Sequence, residues 1–84
     1  MSDETIAARI ERLVDEEQQL RAREQTDRSD PDALEGETER LRAVEVELDQ
    51  CWDLLRQRRA LRDAGVDPNQ AQARGADTVE GYQQ

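Results

Sequence analysis

The stretch ELDQCWDLLRQRRALRDAG, residues 47–65, puts a thiol, an indole and four guanidinium groups within twelve residues. A thiolate could act as nucleophile or redox group, but Cys51 is the single cysteine and the chain has no histidine, which excludes a Cys-His mechanism. A reactive thiolate also needs exposure and a setting that lowers its pKa. Arg56 and Arg58 lie five or more residues away, a full turn or more of helix, so packing as a small buried hydrophobe is favoured over chemistry. The guanidinium groups of Arg56, Arg58, Arg59 and Arg62 could hold a phosphate or a partner's carboxylates, whose geometry matches their planar forks. The competing reading is that they offset a helix dipole and bridge nearby acids, each exposed pair worth about 0–1 kcal/mol. One aromatic beside four arginines is not the interleaved set that single-strand binding uses, so nucleic acid is the weaker partner.

The carboxylates offer a third chemistry. Asp15-Glu16-Glu17 and the run Glu35 to Glu39 could serve as paired acids and bases, but that work requires a pocket that shifts their pKa values. Solvated helix faces, with Glu17 and Arg21 at helical spacing and Arg40 near Glu35, explain the runs without one. The chain reads as no enzyme. Lacking histidine and a cysteine pair, it also lacks the common zinc and haem ligand sets, no calcium loop is legible, and neither a metal nor a cofactor is expected.

Composition narrows what remains. The chain has 84 residues, 35% apolar, with no Phe. Below about 70–80 residues a lone core rarely supplies more than about 3–5 kcal/mol, so help from a second chain is expected. A formal charge of −9 argues against general attraction to nucleic acid or an anionic membrane. With no secretory signal, no membrane-spanning run and one cysteine, the cytoplasm is the default location.

The elements that carry these groups are helices. Ile6, Ile10, Leu13 and Leu20 mark a heptad seam on a first helix over about residues 3–25, with Ser2 as N-cap and Asp3 and Glu4 in its first turn. Asp30 caps a second helix over about residues 31–64, with Pro31 at its first position. Leu34, Leu41, Leu48 and Leu55 recur every seven residues there, and Val44 and Cys51 fill the complementary positions. Gly36 weakens the opening turns, so fraying to residue 36 is expected, and Gly65 is placed for a left-handed cap. The expected fold is all-α: an antiparallel, coiled-coil-like two-helix hairpin over residues 1–65, turning at about 26–31, with a polar tail over 66–84.

Seam pairing sets the register. Facing residue numbers that sum to 61 pair Ile6 with Leu55, Ile10 with Cys51, Leu13 with Leu48 and Leu20 with Leu41. The same register puts Arg58 opposite Asp3 and Glu24 beside Glu37; a sum of 54, with Ile10 on Val44, ranks second. Trp52 falls just off the seam. Together with Leu54, Leu61, Ala7 and Val14 it is read as a second apolar stripe at the terminal end, too much for two helices to cover. The expected use of that stripe is a homodimer contact giving a four-helix bundle, ahead of a site for another protein. The tail is read as irregular and polar, against the alternative that Val79 and Tyr82 dock onto the hairpin.

The segments IAARIERLVDEEQQLRA, VELDQCWDLLRQRRALRDAG and VEGYQQ give the chain a resemblance to the actinobacterial domain-of-unknown-function family twenty-six thirty. It extends from Ile6 to Tyr82 and is most specific over Asp49 to Ala60. The resemblance implies a small, predominantly helical cytoplasmic protein and brings no activity, ligand or functional residue with it. The Gly36 segment departs from that family's usual acidic turn. The resulting functional expectation is a non-enzymatic protein-binding or regulatory module acting as a homodimer; the alternative is a nucleic-acid accessory protein using the arginine cluster.

Overall fold

The computed structural model describes residues 1–75. Helix α1 spans Asp3–Thr26 and α2 spans Pro31–Asp63, followed by a single 3-10 turn at Pro68–Gln70. Each start is capped by the residue whose side chain suits it. The Ser2 hydroxyl accepts from the Thr5 N–H at 3.1 Å and the Asp30 carboxylate from the Ala33 N–H at 3.3 Å, with Pro31 at the position whose own N–H would be orphaned. Gly36 does not fray α2: the helix is continuous from Pro31, because the cap and the packing beyond it outweigh a propensity cost of about 1 kcal/mol. At the other end Gly65 adopts φ +74° and closes a Schellman motif, its N–H donating to the Arg62 carbonyl and that of Val66 to the Leu61 carbonyl.

The two helices pack as the antiparallel hairpin that their seams imply. Ile6, Ile10, Leu13 and Leu20 of α1 are buried against Leu41, Val44, Leu48 and Cys51 of α2, with Leu55 partly buried beside them. Arg58 pairs with Asp3 and Thr38 with Glu24, so facing numbers sum to 61 and 62, which selects the first register over the one summing to 54. Further ion pairs join the helices along their exposed edges. Arg40 pairs with Glu16 at 2.6 Å and Arg21 with Glu45 at 3.1 Å, while within α2 Arg40 also reaches Glu47 at 4.0 Å. Arg40 thus reaches across the hairpin and not back to Glu35, as helical spacing alone suggested. Glu17 and Arg21 do meet, at 3.5 Å.

Over its described part the tail has no regular structure beyond the 3-10 turn at Pro68–Gln70, yet it packs on the hairpin. After the Gly65 turn, residues 66–75 run back along α2 far enough for the Arg74 carbonyl to accept from Gln50 at 3.2 Å. Ala71 packs against the core cluster. Val79 and Tyr82 lie outside the described residues. No described helix is long and apolar enough to cross a membrane.

Candidate functional site

The terminal half of α2 presents two flanks, one on each side of its seam. An α-helix turns about 100° per residue, so Trp52 and Leu54, two apart, point about 200° away from each other. They therefore cannot share one stripe, and the structure corrects that expectation: Trp52 stands on one flank, Leu54 and Asp53 on the other.

The Leu54 flank is closed by the tail. Leu54 is 8% exposed and joins the core cluster, so it is not available as an interface residue. Beside it Asp53 is fully buried. Its carboxylate accepts from both Nε and Nη2 of Arg74, the former at 2.8 Å, and from Gln57 Nε2 at 2.8 Å. The Gln57 amide also donates to the Gln72 carbonyl at 2.7 Å and accepts from the Gln72 N–H at 3.4 Å, tying side chain to tail backbone. A carboxylate removed from water needs this density of donors, since an unpaired buried charge is strongly destabilising. Sequence reasoning missed Asp53 because its position faces outward from a two-helix seam. The one available signal was a lone tail arginine, Arg74, within a return length of α2.

The arginine cluster divides in the same way. Arg58 is buried, its Nε on Asp3 Oδ1 and its Nη1 on Asn69 Oδ1 at 3.0 Å, while Arg62 Nη2 reaches Asp3 Oδ2 at 2.9 Å. Asp3 is thereby gripped by two guanidinium groups. The Arg58 hydrogen bond, against some desolvation and with help from Arg62, holds its carboxyl below the usual aspartate range. Arg58 and Arg62 thus bind the first turn of α1 to the end of α2, and Arg58 also holds the tail. Arg56 and Arg59 remain at the surface, as does Arg62 apart from its bond to Asp3. Three exposed arginines, Arg62 already held by Asp3, are a poor track for a phosphate backbone, which takes its affinity from many neutralised phosphates.

Cys51 is 2% exposed within the core, and burial pushes its thiol pKa up; Arg9 offsets this slightly and Glu47 adds to it. A buried thiol with a raised pKa is a packing group. Among the described residues, no three acidic or cysteine side chains converge as a metal-binding set.

The Trp52 flank has no such closure among the described residues. The indole is 39% exposed and lines an open groove of about 400 Å³ between the helices, with Val14 and Leu48 as the other apolar lining. Glu17 and Arg21 of α1 and Glu45 and Asp49 of α2 complete its walls. Val14 is half-buried and packs on the core, Leu61 is half-buried and Ala7 exposed. Of the five residues read as an interface, Trp52 and Val14 are brought together, while Leu54 and Leu61 belong to the opposite flank.

The family model described as "Protein of unknown function (DUF2630)" matches residues 2–84, and the chain belongs to that family. An uncharacterized protein of Mycobacterium tuberculosis (strain ATCC 25618 / H37Rv) is 52% identical over 81 residues, spanning 96% of this chain and 90% of its own length. An uncharacterized protein of Mycobacterium bovis is similar to the same extent. Both are mycobacterial, in keeping with the actinobacterial resemblance of the LDQCWDLLRQRRA segment. No solved structure matches the chain.

Proposed function

We propose that this protein is a non-enzymatic helical module of the cytoplasm that acts as a homodimer, with the Trp52 flank as its contact surface, and that it works by binding other proteins. The observation that carries this reading is the exposed indole of Trp52 in the groove with Val14 and Leu48. Large aromatics are favoured anchors at the centres of protein interfaces, where a flat ring buries much area for little lost rotamer freedom. A thin core supports the same reading, because a hairpin confined to residues 1–65 is of a size that gains stability by association. The absence of histidine and the burial of the one thiol leave carboxylates as candidate acid-base groups. Some of those at the surface are engaged in ion pairs, as Glu16 is with Arg40, the hydrogen bond from which holds the Glu16 pKa down.

Size-exclusion chromatography with light scattering tests the dimer. The wild type should run at twice the chain mass at tens of micromolar, and Trp52→Ala should run as a monomer with its helicity intact. A wild type that stays monomeric at the highest concentration refutes the reading.

A further inference from the structure

The outer face of α2 around Trp52 carries a charge order that reads as its own complement. Stepping along one face at helical spacing, Glu45 and Asp49 precede Trp52, and Arg56 and Arg59 follow it. Glu45 and Arg59 each stand seven residues from Trp52, two turns or about 10.5 Å away along the axis. A two-fold axis through Trp52 would lay a second α2 antiparallel to the first and put Glu45 of each copy opposite Arg59 of the other. Such an isologous contact needs a surface that complements itself, and an acid–aromatic–base order has that property.

Resting on the dimer reading above, we infer that two copies associate through antiparallel α2 helices crossing at Trp52, in a register fixed by two symmetry-related Glu45–Arg59 pairs. The side chains are available for it. Arg59 is exposed and makes no ion pair among the described residues; Glu45 is 47% exposed and receives Arg21 on Oε1, which leaves Oε2 to accept from a second guanidinium. The crossing angle is constrained by the same geometry. At about 20°, as in most helix bundles, the axes diverge by only about 4 Å at the charged positions, within side-chain reach; at about 50° they diverge by about 9 Å. The apolar centre is small, so the charge pairs choose the orientation more than they set the affinity, and they do so less as salt rises.

Charge reversal tests this directly. Glu45→Arg alone places arginine opposite arginine, and Arg59→Glu alone places glutamate opposite glutamate, at both symmetric positions. Each should weaken self-association about tenfold or more at low salt, with circular dichroism confirming a folded helical chain. Mixing the two variants creates a heterodimer in which both pairs are again opposite in sign, and dimer mass should return. A wild-type dimer whose variants associate unchanged, or do not recover on mixing, overturns this register while leaving the dimer standing. A monomeric wild type overturns both.

Discussion

Leu54 and Trp52 sit two residues apart on the same helix and meet opposite fates. The Leu54 flank is sealed by ten residues of returning chain, whose hold comes from hydrogen bonds and ion pairs on Asp53, Gln57 and Arg58, with Ala71 as its apolar contact on the core. On the Trp52 flank an indole, with Val14 beside it, faces an open groove. The difference teaches that polar residues of the described tail complete one flank of the fold, while among the described residues the largest apolar ring stays partly open to water. Stability and association should therefore be separable, one flank at a time.

The largest expected effect is on the sealed side. Leu54→Ala empties a buried position between Ile6 and Ala71 and should cost about 3 kcal/mol in chemical denaturation, within the range for core Leu→Ala changes. Next, Arg74→Ala removes two donors from the fully buried Asp53 and should cost about 2 kcal/mol. The guanidinium is 42% exposed, which puts the loss below that of a fully buried pair. Both variants should lose stability equally at low and high protein concentration once association is subtracted. A control touching neither flank is Gly36→Ala, which should stabilise by about 0.5–1 kcal/mol, because a Cβ there meets nothing within 4 Å.

The smallest effects are those of pH. The carboxyl of Asp3 has a folded-state pKa below its ordinary 3.8, so the stability it lends is present above that value and is lost as pH falls through the lowered one. Asp3→Asn should flatten this acid limb in thermal melts. Glu37, at the turn end, behaves in the opposite sense. The neighbouring Asp27 carboxyl, then burial, raise its pKa above 4.5, and among the described residues its buried Oε2 has no hydrogen-bond partner. Stability is therefore lost as pH rises through its raised pKa, and Glu37→Gln should melt higher than the wild type at pH 7 but not at pH 4.

Much of the hairpin was legible because its signals are local. Ser2, Asp30-Pro31 and Gly65 each act on backbone groups within a few residues, and the heptads of Leu41 to Leu55 repeat often enough to fix face and register. The tail was not legible for the converse reason. Asp53 meets Arg74 across 21 residues of sequence, with no periodicity to announce it, and a buried aspartate on the outward side of a seam contradicts the two-helix pattern. Leu54 falls on the wrong stripe when apolar character is grouped by nearness in sequence, because about 200° of helix separates it from Trp52. The arginines were half legible: the Arg58–Asp3 pairing followed from register, but the bond from Arg58 to Asn69 depended on the tail.

Whether the open flank is a self-contact is tested most directly by the thermal midpoint measured over a hundredfold range of protein concentration. A dimer that binds through Trp52 requires the wild-type midpoint to rise with concentration and that of Trp52→Ala to stay constant. A wild-type midpoint that does not move would contradict the account.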